Sequence, residues 1–257
     1  MKFVRYLDNT GNESYGSLEN AIIRRIEGSI FNNYSVTDEK FPIDDVKLLY
    51  PCKPTNLYCV GLNFADHIAE LNLPTPEKPA NFLKPVSGVI NPGEPIVIPA
   101  VSTRTDYEGE IALVIKNQIK NISESEALQH VLGITPLNDV TERDMSYTPT
   151  QVTYSKSFDT FTSFGPVIDT EINPENATLR TYLNGTKVQE GCSADFIFSC
   201  AHIVSYFSKG RTLYPGDIIS TGTPSNVLEI KKGDIVEVEI AGINEKLTNP
   251  VDDEEVM

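Results

Sequence analysis

The chain has 257 residues, enough for one large domain or for a main domain with a small appendage. Its formal charge is −15, and so acidic a surface repels DNA, RNA and anionic membranes while still allowing a local positive site for a small anion. The opening MKFVRYLDNT is not a signal peptide and no apolar run reaches membrane-spanning length, so a cytoplasmic protein is expected, with neither nucleic acid nor membrane as partner.

The first fifty residues are short apolar pieces broken by DNTGN and NNYSVTDEK, and LENAIIRRI within them is ambiguous between helix and strand. Pro51 and Pro54 mark a boundary. We therefore expect a small N-terminal unit over 1–50 and a main domain over 51–257. Downstream, NLYCVGL, EPIVIP, EIALVI, GPVI, LRTYLNG, GDIISTG and DIVEVEI are all strand-like and separated by turn residues. Asn184-Gly185 reads as a hairpin tip. Three helices are predicted. One covers 64–71, capped by Asn63 and ended by Pro74. A second starts at Ser123, with Glu126 completing a capping box, and stops before Gly133. A third covers 198–208, ending at Lys209 and Gly210. Many strands and few helices, in no βαβ rhythm, predict a β-rich α+β fold. Cys52, Cys59, Cys192 and Cys200 lack metal-ligand spacing and sit in mostly apolar surroundings, as reduced, buried thiols do.

Within TDYEGEIALVI at 105–115, Glu108 and Glu110 stand two apart at the mouth of a run that is apolar on both faces. In a strand they point the same way, about 6.5–7 Å apart. Like charges that close repel unless one is protonated or a cation lies between them. VEVEI at 236–240 has the same spacing, but there the alternation is that of a half-exposed strand with a wet acidic face. Asp139 ends another apolar segment, VLGITPLNDV. Three such acids would make a hard oxygen site for Mg²⁺ or Mn²⁺; on spacing alone, solvated strand-end charges and an Asx turn are the plainer reading.

His67 and Glu70 share one face of the first helix, where a carboxylate could fix the imidazole tautomer for a general base, or form a surface pair. Lys156 in TYSKSFDTF could balance a carboxylate or an oxyanion. Arg143 offers a guanidinium for bidentate carboxylate binding, and the STGTP turn at 220–224 offers backbone N–H groups. No Walker loop, GxGxxG, GxSxG or HExxH is present.

Taken in order, VGLNFADHIAEL, FLKP, DYEGEIALVI, NDVTERD, SKSFDTF, GP, NG…Q, IF, TLYPGDIISTGTP and KKGDIVEVEI resemble the fumarylacetoacetate hydrolase family over about 58–245. The first fifty residues resemble the small unit carried by many bacterial and archaeal members. The resemblance implies a mixed β-sandwich roll with few short helices, normally dimeric, on a small N-terminal β-rich unit. It implies that Glu108, Glu110 and Asp139 hold Mg²⁺ or Mn²⁺. It makes His67 and Glu70 a water-activating pair on a lid helix and sets Lys156 on the substrate's oxygens or on the metal-bound water network. It has Arg143 and Thr223 seat a small 2-oxo carboxylate. Two departures lie near that substrate: Ser146 stands where the family pattern RDxQ has Gln, and SNVLEI replaces a Gly-Val-Gly run after the turn. The expected reaction is C–C hydrolysis of an acylpyruvate through a pyruvate enolate. Oxaloacetate decarboxylation and 2-hydroxydienoate isomerisation are alternatives at the same site, and a non-enzymatic cation or small-acid binder is a more distant one.

Overall fold

The apolar run behind the acidic pair forms the centre of the molecule. In the computed structural model, which describes residues 1–146, 148 and 150–255, strand Gly109–Ile115 is buried at every position. It pairs antiparallel with Val131–Asp139 on one edge and with Ile218–Ser220 on the other. Its odd residues Ile111, Leu113 and Ile115 pack with Leu179, Val238 and Ile240 and with Ile203, Val204 and Phe207 of helix Cys200–Ser208. Its even residues Ala112 and Val114 pack instead with Leu137, Phe164 and Ile168. The two-residue period of a strand divides this one between two apolar clusters. Glu108 and Glu110 fall on the even side.

Among the described residues, thirteen strands make the main sheet. From Val131–Asp139 it runs through Val167–Asp169 to Lys2–Leu7, then to Glu13–Glu19, Ile22–Gly28 and Tyr34–Pro42. In the other direction Ile218–Ser220 pairs in parallel with Leu57–Gly61, whose outer neighbour is the edge strand Ala80–Lys84. A second sheet orders Thr186–Cys192, Thr178–Leu183, Ile235–Ile240, Leu247–Asp253 and Ile96–Ile98. The architecture is the β-rich α+β sandwich that the turn-punctuated sequence predicts, with parallel and antiparallel pairs mixed. The β-rich first fifty residues continue the main sheet, since Lys2–Leu7 pairs with Val167–Asp169.

Several local expectations are refined. The ambiguous LENAIIRRI is a hairpin. Asn20 (φ 48°) and Ala21 (φ 62°) make its two-residue turn, with alanine where glycine usually supplies the left-handed backbone. The Ser123/Glu126 capping box forms, but the α-helix covers only Glu124–Ala127. One 3₁₀ turn follows, and the chain becomes strand at Val131, whose pairing with Ile115 outweighs helix continuation. Helix Cys200–Ser208 is capped by Ser199, whose hydroxyl accepts from the His202 N–H at 3.1 Å. Helix Ala65–Glu70 begins after Phe64, and the expected cap by Asn63 is not made. Asn63 is buried and spends its amide on the Thr221 carbonyl (2.9 Å) and the Phe198 N–H (2.8 Å), tying the helix entry to the STGTP turn. All four thiols are free; Cys52, Cys59 and Cys200 are buried and Cys192 is partly exposed. Among the described residues no helix is long and apolar enough to cross a membrane.

Candidate active site

Glu108, Glu110 and Asp139 converge. Each offers a carboxylate oxygen within 4.8 Å of the others, and all three side chains are buried. Register explains the meeting: Gly109, between the glutamates, pairs with Asn138, and the Asp139 N–H donates to the Glu108 carbonyl at 2.8 Å. Strand ends with acidic tips are thus brought side by side where the apolar packing stops.

Cations surround two of these acids. Lys156 Nζ lies 2.7 Å from Glu108 Oε2, 2.6 Å from Asp139 Oδ2 and 2.9 Å from Thr141 Oγ1. Arg143 Nη2 donates to Glu108 Oε1, and its Nε lies 2.8 Å from Asp106 Oδ2. Lys84 Nζ donates to Asp139 Oδ1 and, at 2.7 Å, to the Phe161 carbonyl. Burial alone would push the Glu108 carboxyl up, but the Lys156 and Arg143 cations hold it well below the usual carboxylate range. Burial likewise disfavours the Lys156 ammonium, and the Asp139 and Glu108 carboxylates more than offset it, so its pKa is raised. Glu110 differs, for among the described residues it has no ion pair. Its Oε2 accepts from the Ser220 hydroxyl and from the Gly222 N–H at 2.8 Å. Burial, reinforced by the negative Asp139 and Glu108, pushes it up to about 8.

The lid expectation has a geometric counterpart. On helix Ala65–Glu70, Glu70 Oε2 lies 2.9 Å from His67 Nδ1, and its Oε1 accepts from the Asn226 N–H at 2.9 Å. Asp66 Oδ2 accepts from the Ser225 hydroxyl at 2.7 Å. The helix is therefore latched to the 225–226 segment by two carboxylates, one of which also orients the imidazole. His67 is 5% exposed, so the imidazole is buried, while the Glu70 side chain keeps 34% of its exposure. His67 lies close enough to Glu108 that a protonated imidazole would help lower that carboxyl.

The three residues expected to seat the substrate have partners within the protein. Arg143 is buried and engaged with Asp106 and Glu108, so it holds a candidate metal ligand. Ser146 turns its hydroxyl back to the Arg143 carbonyl at 2.7 Å. Thr223 is buried in the turn, 2.9 Å from Gln189 Nε2. Gly222 (φ 100°) must be glycine there, because a Cβ would come within 2.9 Å of Asn63 Cβ. Sequence reasoning gave no role to Lys84 or Asp106. Lys84 was findable by parity, since it alternates inward with Phe82; Asp106, two residues before Glu108, ends the separate short strand Thr105–Asp106. A separate cleft of about 300 Å³, lined among others by Ser102, Thr103, Arg104, Lys231 and Lys232, contains none of the site side chains.

The donor set itself tests the metal expectation. Three carboxylate oxygens, with neither sulfur nor imidazole among them, match a hard dication such as Mg²⁺ or Mn²⁺. The uncompensated, desolvated Glu110 is the place where further positive charge is wanted. The residues fit.

Comparison with known proteins agrees with the fold. Residues 56–252 match the family model "Fumarylacetoacetate (FAA) hydrolase C-terminal", and residues 1–51 match "Rv2993c-like, N-terminal". An uncharacterised protein of Methanocaldococcus jannaschii is 46% identical over 84% of this chain and 91% of its own. A mitochondrial oxaloacetate tautomerase of Xenopus laevis is 37% identical over 80% of this chain and 69% of its own. The crystal structure of a 2-hydroxyhepta-2,4-diene-1,7-dioate isomerase from Mycobacterium marinum superposes with a TM-score of 0.91 at 35% identity, covering 100% of both chains. With the family model spanning the acid cluster, helix Ala65–Glu70 and the STGTP turn, the chain belongs to the fumarylacetoacetate hydrolase family.

Proposed function

We propose that the chain is a divalent-metal-dependent enzyme that enolises a small 2-oxo acid, with a proton shift, tautomerisation or isomerisation, as its net reaction. The observation that carries this reading is the His67–Glu70 dyad, its imidazole buried, beside three converging carboxylates. Glu108, Glu110 and Asp139 would hold Mg²⁺ or Mn²⁺, which supplies Lewis-acid stabilisation for charge developing on the keto oxygen.

The chain's own groups do the rest. With Glu70 accepting from Nδ1–H, the imidazole presents its Nε2 lone pair as a base. That nitrogen takes a proton from the carbon beside the keto group and returns it elsewhere on the conjugated chain. A 1,3-shift needs no other base, and proton transfer of this kind contributes about 10²–10⁴-fold. The latch of Asp66 and Glu70 onto residues 225–226 keeps bulk water from the base. Lys156 stands against Glu108 and Asp139, where its ammonium can offset negative charge built on the substrate. Arg143 keeps Glu108 ionised and in place. The names of the Xenopus and Mycobacterium relatives, a tautomerase and an isomerase, support placing the proton shift first.

Acylpyruvate hydrolysis, which the sequence puts first, is the second reading. The same dyad would deprotonate a water, and Lys156 would offset the oxyanion. The test is a substrate panel with Mg²⁺: oxaloacetate followed through its enol absorbance, a 2-hydroxydienoate diacid and acetylpyruvate. We expect the proton-shift substrates to show the higher kcat/KM, and His67→Gln to lower it about 10²–10⁴-fold. Cleavage of acetylpyruvate with no enol–keto or dienoate turnover would replace this reading by the hydrolase. Decarboxylation unaffected by His67→Gln would replace it by the decarboxylase.

A further inference from the structure

Three hydroxyls line the turn that follows strand Ile218–Ser220: Ser220, Thr221 and Thr223, all buried. Two of them spend their protons inside the protein, Ser220 on Glu110 and Thr221 on the Ile111 carbonyl at 2.7 Å. Thr223 is different. Its oxygen accepts from Gln189 Nε2 at 2.9 Å, and among the described residues its own proton has no acceptor. A buried donor left unmade gains by meeting an acceptor, and the Thr223 hydroxyl is such a donor. It sits one residue from the Gly222 N–H that binds Glu110, beside the acid cluster.

Gln189 determines which way that proton points. The side chain is 1% exposed on strand Thr186–Cys192. Its Oε1 accepts from the Gly109 N–H at 3.2 Å. A backbone N–H can only donate, so the amide cannot be flipped, and Nε2 must face the turn. There it meets Thr223 Oγ1 and the Pro224 carbonyl, both at 2.9 Å, and the Ser225 carbonyl at 3.3 Å. With an N–H aimed at its oxygen, the Thr223 hydroxyl has to turn its proton away from Gln189. Close approach makes this possible. A Cβ at Gly109 would lie 1.9 Å from Thr181 Oγ1, so only glycine between the two glutamates lets the second sheet come near enough for the amide to reach.

We infer that Gln189 is a positioning residue: it staples the Glu108–Glu110 strand to the turn and aims the Thr223 hydroxyl at the carboxylate of the substrate. The inference rests on the function proposed above, in which a 2-oxo carboxylate lies beside the acid cluster. Gln189 touches no substrate and acts through Thr223.

The experiment is a double-mutant cycle read by calorimetry on the full chain, with Mn²⁺ alone and then oxalate in the presence of Mn²⁺. Gln189→Met should weaken oxalate about 10- to 100-fold, the loss of one hydrogen bond to a charged group, while Mn²⁺ alone binds within about threefold of the parent. Thr223→Val should weaken oxalate similarly, and Gln189→Met added to it should cost less than about twofold more, since both changes remove one interaction. Thr223→Ser, which keeps the hydroxyl, should restore oxalate binding and its dependence on Gln189. Should Gln189→Met fold poorly, Gln189→Glu keeps the acceptor for Gly109 and replaces the donor. It should leave Mn²⁺ affinity intact or tighter while oxalate weakens, a pair of opposite changes that loss of structure does not produce. Effects of Gln189 and Thr223 that simply multiply, or equal losses of Mn²⁺ and oxalate, overturn the positioning role alone. Absence of Mn²⁺-dependent oxalate binding in the parent chain overturns the functional reading, and this inference with it.

Discussion

Two pairs of glutamates in this chain share one spacing and lead opposite lives. Glu237 and Glu239 lie on strand Ile235–Ile240 with Val236, Val238 and Ile240 in the core behind them. Their side chains keep 22% and 18% of their exposure. Their partners are partly exposed too: Arg180 Nη1 at 3.0 Å and the Tyr182 hydroxyl at 3.1 Å from Glu239, and Lys246 at 3.4 Å from Glu237. Glu108 and Glu110 are buried, face a third carboxylate and are enclosed by Lys84, Arg143 and Lys156. Spacing puts two acids on one face of a strand; what the fold sets opposite decides whether they are solvated charge or a site.

The largest effect should come from removing the acid that has no cation. Glu110→Gln is expected to lower kcat/KM roughly 10³-fold or more, matching the several kcal/mol that Lewis-acid stabilisation supplies. Glu237→Gln and Glu239→Gln should stay within about twofold. Chelation by EDTA should abolish turnover, and Mg²⁺ or Mn²⁺ should restore it. Mn²⁺ at 100 times its Kd should stabilise the parent by about 2.7 kcal/mol and Glu110→Gln by far less, read as a shift in Tm. Full activity of Glu110→Gln in EDTA would erase the distinction between the pairs. Next in size, Glu70→Gln should cost kcat about 10²-fold through the mis-set tautomer of His67, with Mn²⁺ affinity unchanged by calorimetry; a loss confined to Mn²⁺ binding would make Glu70 part of the metal site instead.

The contrast also marks what the sequence could disclose. Alternation in VEVEI predicts a half-exposed strand, and the structure has one, because burial there follows parity alone. Around Glu108 parity places the acids on one face, but the meeting with Asp139 depends on the register of Gly109 with Asn138, which no local pattern specifies. His67 and Glu70 are legible as a helical pair; what that pattern does not show is the burial of His67 and the latch onto Ser225 and Asn226, 159 and 156 residues away in sequence. Lys84 was hidden because a single lysine in a short edge strand looks solvated until the strand's inward positions are counted. The Asn20-Ala21 turn was hidden because alanine rarely takes a left-handed backbone, so the residues carry no turn signal. Fold class survived these gaps because it depends on many strands at once.

The remaining predictions concern stability, and they test the comparison by a readout other than turnover. Lys84→Met strips Asp139 of a fully buried partner, since the side chains of the pair are 1% and 0% exposed, and breaking such a pair costs about 3–5 kcal/mol. Arg180→Ala removes the partner of Glu239 where the side chains are 34% and 18% exposed; water replaces the lost contact, and such pairs are worth about 0–1 kcal/mol. Urea unfolding at low and at 0.5 M salt separates the two. The Arg180→Ala difference should shrink as salt rises, because screening acts on charges that solvent can reach, while the Lys84→Met difference should hold. If Arg180→Ala proved as costly as Lys84→Met and as indifferent to salt, enclosure would not be what distinguishes the two glutamate pairs, and the acid cluster at Glu108 would need some other ground for its special status.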